Sequence, residues 1–134
     1  MEKAIVIVEL TNNNYSAYIE SLPGCVSTGK TFDELKANME EAIEFHLEGM
    51  REDGEDIPAD FQKRYELVYH FDPESLLRHY NGIFSNAALE RLTGINQKQL
   101  QRYATGASKP RKEQAKRIEI ALHNLGRELL AVEL

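Results

Sequence analysis

The sequence predicts an α+β protein made of two units, residues 1–72 and 73–134. Three observations predict it. Strand patterns, either β-branched runs or period-two alternation, occur at residues 4–10, 15–20, 25–28 and 65–72, with one long helical stripe before the last of them. Beyond Asp72 the pattern changes to short helical segments punctuated by Gly82, Gly94 and Gly106. The charge changes sign at the same place: sixteen Asp and Glu face six Lys and Arg up to Asp72, and six face ten after it. The formal net charge of −6 therefore hides an acidic front unit and a basic rear unit. Such a chain suits two partners of opposite charge.

Ala4-Ile5-Val6-Ile7-Val8-Glu9-Leu10 is a β-branched run and reads as a strand buried on most of both faces. Residues 11–14 are turn-rich, so residues 15–20 return as its hairpin partner. Leu22-Pro23-Gly24 turns the chain into a short third strand over 25–28, ended by Gly29. Thr31 opens a helix with Glu34 three residues on, the spacing of a capping box. Leu35, Met39, Ala42, Ile43, Leu47 and Met50 form its apolar stripe, which should lie on the sheet. His46 falls within the stripe and reads as a packed residue. Phe45 lies off it, over a loop or against a partner subunit. Glu40, Glu41, Glu44 and Glu48 line the exposed side. Residues 51–64 are polar, carry Gly54 and Pro58, and read as a loop. Tyr65, Leu67, Tyr69 and Phe71 then share one face of a fourth strand.

That order of elements, with Leu22-Pro23-Gly24-Cys25-Val26-Ser27-Thr28-Gly29-Lys30-Thr31-Phe32-Asp33-Glu34-Leu35 leading into an Ala- and Glu-rich helix, resembles the HicB antitoxin family over about the first 72 residues. The strongest signature is Pro-Gly-Cys, then a Gly, then Thr at the helix start. The resemblance implies a front domain with a βββαβ partial RNase H-like fold, acting as a binding module rather than a nuclease. It implies a HicA-like toxin as partner, a small basic ribonuclease that cleaves mRNA. It also implies a rear DNA-binding domain, which in such proteins is helix-turn-helix or ribbon-helix-helix.

The rear unit reads as the helix-turn-helix kind. Asp72, Pro73 and Glu74 start a helix whose apolar face is Leu76, Leu77 and Tyr80, and Asn81-Gly82 ends it. Ser85 caps the next helix, over 86–92. Thr93-Gly94-Ile95 is the turn, where Gly94 relieves the steric limit on left-handed backbone angles. Asn96, with Gln99, makes a second capping pair, and Gly106 ends the second helix. A fourth helix carries Ile118, Ala121, Leu122 and Leu125 and is broken at Gly126. The tail residues Leu129, Leu130, Val132 and Leu134 cover either this core or a dimer partner.

Within the second helix of the pair, Leu100 and Tyr103 point inward by spacing, while Gln97, Lys98, Gln101 and Arg102 point outward. Gln pairs with adenine edges, Arg with guanine edges, and Lys with bases or phosphates. Ser85, Asn86 and Asn96, at the two helix starts, are expected to bind DNA with these side chains. Lys109, Arg111, Lys112, Lys116 and Arg117 follow as cations for the phosphate backbone. One departure stands out. Such domains usually carry Ala or Gly four residues before the turn glycine, where the helices touch, and this chain has Glu90. Either the helices splay or the carboxylate turns outward. Two copies would read a palindromic operator far more tightly than one, so a homodimer or larger homo-oligomer is expected.

Catalysis is not expected. Glu9, Glu20 and Asp72 are the carboxylates available to a two-metal nuclease, and their spacing gives no sign of convergence. His46, His70, His79 and His123 are scattered, and no cofactor or metal site is expected. The lone Cys25 fits a reducing, cytoplasmic setting, and no signal peptide or membrane span is visible. The expectation is thus a type II antitoxin that covers a HicA-like toxin with residues such as Glu40, Glu41, Glu44 and Glu48 and represses its own operon through the rear unit. The alternatives are a stand-alone regulator whose front domain senses a ligand or protein, and an RNase H-like nuclease.

Overall fold

In the computed structural model, which describes residues Met1–Leu134, the chain divides into units Met1–Asp72 and Pro73–Leu134. The front unit is ordered β1 (Glu2–Leu10), β2 (Tyr15–Tyr18), β3 (Val26–Gly29), α1 (Phe32–Glu52), α2 (Ala59–Gln62) and β4 (Tyr65–Phe71). Its four strands form one sheet in the order β3-β2-β1-β4. β1 and β2 are antiparallel, with Ile7 opposite Tyr18 and Leu10 opposite Tyr15. β4 joins the other side of β1 in parallel, from Glu2 opposite Tyr65 to Val8 opposite Phe71.

Alternation along the strands decides which side chains meet α1. Ala4, Val6, Val8, Ala17 and Phe71 turn to one face and are buried. α1 lays Leu35, Met39, Ile43 and Leu47 against that face, each at most 1 % exposed. The helix begins where the sequence places it: Thr31 Oγ1 accepts the Glu34 N–H at 3.1 Å. Gly29 sets how closely strand and helix approach. A Cβ there would lie 2.5 Å from the Leu35 nitrogen and 2.8 Å from its Cα, so the two backbones meet with only a hydrogen between them.

Two expectations for this unit are corrected. Residues 51–64 are not a continuous loop. α1 runs on to Glu52, and α2 forms after Pro58 because Phe61 anchors it, 3 % exposed and edge-on to Tyr65 with ring centroids 4.9 Å apart. The polar composition of the segment masked that single apolar anchor. β1 is not covered on both faces either: Ile5 is 51 % exposed on the side away from α1.

The rear unit consists of α3 (Pro73–Tyr80), α4 (Asn86–Thr93), α5 (Gln97–Thr105) and α6 (Lys112–Leu130). Leu77, Leu89, Ile95, Leu100, Tyr103, Ala104 and Ile118 form its core, with Leu76, Phe84, Leu92 and Leu122 packed around them. Each helix contributes one or a few residues at helical spacing, so the core is small and shared among all four. Gly126 does not break α6, which runs unbroken to Leu130. An interior glycine costs about 1 kcal/mol against alanine, and Leu125, Arg127, Glu128 and Leu129 around it are good helix formers. Leu129 and Leu130 are 60 % and 88 % exposed, so they do not cover the unit's own core.

Candidate functional site

The α4–α5 pair is built from local rules. Ser85 caps α4 by accepting the Ala88 N–H at 3.1 Å, which leaves its own O–H free to donate outward. Gly94 ends α4 at φ 74° and sends its N–H back to the Glu90 carbonyl. Thr93 locks the turn from inside. Its hydroxyl donates to the Leu89 carbonyl at 2.7 Å and accepts the Ile95 N–H at 3.0 Å, both within the buried core. Asn96 Oδ1 caps α5 through the Lys98 N–H at 2.8 Å. The second half of the expected capping pair is not made: Gln99 donates instead to Ser108 Oγ at 3.4 Å, tying α5 to the loop behind it.

Leu100 and Tyr103 are held in the core, 0 % and 5 % exposed. Their burial fixes the rotation of α5 and leaves Gln97, Lys98, Gln101 and Arg102 exposed on its outer side. Two of these are held by α4. Asn86 Nδ2 donates to Gln101 Oε1 at 2.8 Å, and Gln97 Nε2 donates to Glu90 Oε1 at 3.3 Å. Asn86 is half-buried and its Oδ1 has no partner, so it is an orienter of Gln101 more than a surface group. The second bond explains Glu90. Its carboxylate sits at the outer seam between the helices and bridges them there, where a smaller residue would let them touch directly.

The cations lie on one continuous stretch. Lys109, Arg111 and Lys112 are exposed in the loop after α5 and at the start of α6. Arg117 lies over the turn: a Cβ on Gly94 would come within 2.7 Å of its Nη2. Lys116 pairs with Glu119 at 2.9 Å, which compensates its charge locally. The neighbouring pairs Asn86–Gln101 and Glu90–Gln97 escape sequence reading because helix spacing gives a side chain's direction along its own helix, not its partner on the next.

In the front unit, Glu40, Glu41, Glu44 and Glu48 are all exposed on α1. They do not form one equivalent row. Glu40 and Glu44 rim a cleft of about 800 Å³ between α1 and β4, floored by Ile43, Phe61, Leu67 and Tyr69 and edged by Lys36 and Arg51. The Tyr65 hydroxyl donates to Glu44 at 3.4 Å. Burial, then the nearby Glu44 carboxylate, pushes the Tyr65 phenol up; burial, then Glu40, does the same to Tyr69. Glu41 and Glu48 instead stand near Phe45, which is 79 % exposed. Glu9, Glu20 and Asp72 lie on the outer face of β1, in the turn after β2 and after β4, and no three His, Cys, Asp or Glu residues are grouped to hold a metal. Burial pushes the Cys25 thiol up. No helix is long and apolar enough to cross a membrane.

Comparison with known proteins bears on the front unit. A family model described as "HicB_like antitoxin of bacterial toxin-antitoxin system" matches residues 4–69. A protein from the rep–hol intergenic region of Haemophilus phage HP1 is 43 % identical over 53 residues, which is 40 % of each chain. A UPF0150 protein of Archaeoglobus fulgidus is 44 % identical over 59 residues, 42 % of this chain and 86 % of that one. The chain thus spans well under half of the phage relative but most of the archaeal one. A solved structure titled "HicA3 and HicB3 toxin-antitoxin complex" aligns with a TM-score of 0.38 at 20 % identity, over 46 % of this chain and 92 % of that chain. With β2, β3, α1 and most of β1 and β4 inside the matched residues, the chain belongs to the HicB-like antitoxin family of bacterial toxin–antitoxin systems.

Proposed function

We propose that the chain is a type II antitoxin with two working ends. The front unit neutralises a HicA-like, mRNA-cleaving toxin, and the rear unit is a helix-turn-helix that represses the antitoxin's own operon. The observation that carries the second half is α5. Its inner face is anchored by Leu100 and Tyr103, and its outer face presents Gln97, Lys98, Gln101 and Arg102 beside an exposed run of Lys109, Arg111 and Lys112. Inserted in a major groove, Arg102 would pair with guanine and Gln101 with adenine, while Ser85, Asn96 and the loop cations hold phosphates. Glu90 and Asn86 act from behind by holding Gln97 and Gln101 in place before contact.

Family membership and charge support the first half. The front unit has sixteen acidic against six basic residues, and Glu40, Glu41, Glu44 and Glu48 project from α1. A ribonuclease needs a basic surface to hold RNA. An acidic face drawn to that surface by long-range attraction excludes RNA by occupying it. The test is co-expression with any small basic protein encoded beside this chain's gene. The two should co-purify, and the complex should not cleave mRNA. Glu40→Lys, Glu41→Lys, Glu44→Lys and Glu48→Lys together should slow association and release activity. No association with any adjacent basic protein, with operator binding retained, would favour a stand-alone regulator instead.

A further inference from the structure

Gln97 and Gln101 stand one helical turn apart on the exposed side of α5, and α4 holds each by the opposite end of its amide. Asn86 Nδ2 donates to Gln101 Oε1 at 2.8 Å, so the Gln101 oxygen turns toward α4 and both of its N–H groups stay free. Gln97 Nε2 donates to Glu90 Oε1 at 3.3 Å, so there the nitrogen turns toward α4 and the oxygen keeps both lone pairs. Neither orientation reverses easily. A carboxylate only accepts hydrogen bonds, so Gln97 must offer Glu90 an N–H. Asn86 is half-buried, and its Oδ1 lies buried without a partner. Reversing that amide would bury the Nδ2 group there instead, and buried N–H groups are left orphaned less often than carbonyl oxygens. Asn86 therefore keeps its donor toward Gln101.

We propose that these two bonds decide which bases α5 selects: Gln101 offers a donor and reads an acceptor edge, while Gln97 offers an acceptor and reads a donor edge. The inference rests on the proposed reading of α5 as a DNA-recognition helix. Gln101 keeps one lone pair and Gln97 one N–H, but each belongs to the atom already turned toward α4. In the major groove guanine shows the acceptors N7 and O6, and thymine the acceptor O4. Cytosine shows only its N4 amine as a donor, and adenine shows both kinds, N7 and the N6 amine. Gln101 therefore admits guanine, thymine or adenine and rejects cytosine. Gln97 admits adenine or cytosine and rejects guanine and thymine. Four residues of helix rise about 6 Å, and base pairs stack about 3.4 Å apart, so the two preferences fall within about two base pairs of each other. Asn86 and Glu90 are positioning residues: each acts on the base through the glutamine it holds.

The test is selection of bound sequences from a randomised DNA duplex library, followed by sequencing, with the unsubstituted chain, Asn86→Asp and Glu90→Lys at one salt concentration. Base preference is read rather than affinity, so a general gain or loss from the altered charge does not enter. Asn86→Asp leaves only an acceptor, which draws Gln101 Nε2 inward and turns Oε1 out. One position of the selected motif should then pass from excluding cytosine to favouring cytosine or adenine. Glu90→Lys leaves only a donor, which draws Gln97 Oε1 inward. A second position, within about two base pairs of the first, should pass from adenine or cytosine to guanine or thymine. Each switch should enrich the newly favoured bases about tenfold. Circular dichroism checks the folds. Should Asn86→Asp misfold, Gln101→Glu gives the same reading from an exposed position, because an acceptor there should favour cytosine. An unsubstituted chain that selects a sequence, with variants that select the same one, overturns this proposal and leaves α5 standing as the reading helix. An unsubstituted chain that selects no sequence overturns both.

Discussion

The two units of this chain use different physics to present a surface. The rear unit has a small core shared by four helices, and the direction of the exposed residues of α5 is set by Leu100, Tyr103 and Ala104 on its buried side. The front unit has a full sheet-on-helix core, and Glu40, Glu41, Glu44 and Glu48 project from one long helix, of which only Glu44 takes a hydrogen bond from a neighbouring strand, from Tyr65. One surface is a fixed array suited to reading hydrogen-bond patterns. The other is a field suited to steering a charged partner. Substitutions on the exposed surface should therefore act sharply in the rear unit and cumulatively in the front.

The sharpest break concerns the folds themselves. Gly29→Val forces a side chain into the Leu35 backbone and should cost about 3 kcal/mol or more of front-unit stability, read by thermal melting. If the rear unit binds the operator as proposed, that affinity should change far less. Thr93→Val removes both buried hydrogen bonds of the turn and should cost about 1–3 kcal/mol, this time with a matching loss of DNA binding.

Smaller effects sharpen the contrast. Lys109→Ala or Arg111→Ala should weaken binding about equally for all DNA sequences and reduce the salt slope by about 1 each, measured by titration at several salt concentrations. Alkaline pH should act on the front unit through Tyr65 and Tyr69. Both phenols are raised in the folded state, so the neutral form is favoured there. Their stabilisation is complete below the unfolded value of about 10 and is lost as pH rises through the folded values. Tyr65→Phe/Tyr69→Phe should remove that part of the alkaline decline in melting temperature.

Legibility in the sequence followed the same division. Ser85, Asn96, Gly94 and Gly106 announce helix ends because capping is local: each acts within a few residues of itself. The inward Leu100 and Tyr103 and the outward Gln97, Lys98, Gln101 and Arg102 follow from helical period alone. At Glu90 the sequence leaves open whether the helices splay or the carboxylate turns outward, because spacing does not show Gln97 across the seam. α2 was hidden because one buried phenylalanine outweighed a polar neighbourhood. The run through Gly126 was hidden because one weak helix former was read as a stop. In the front unit, Ile5 belongs to a run that asks for burial on both faces, and only the fold reveals that one face is left open. The α1–β4 cleft joins residues distant in the chain, Glu44 and Tyr65 among them, and has no sequence signature at all.

The proposed function turns on α5 reading DNA. A direct test is the affinity of residues 1–134 for the proposed operator, by fluorescence anisotropy at one fixed salt concentration, with and without Gln101→Ala/Arg102→Ala. Each lost base contact is worth about 1–3 kcal/mol. The account predicts a loss of at least tenfold in specific affinity, with non-specific binding and the melting temperature nearly unchanged. Equal affinity of the two proteins for the operator would contradict it.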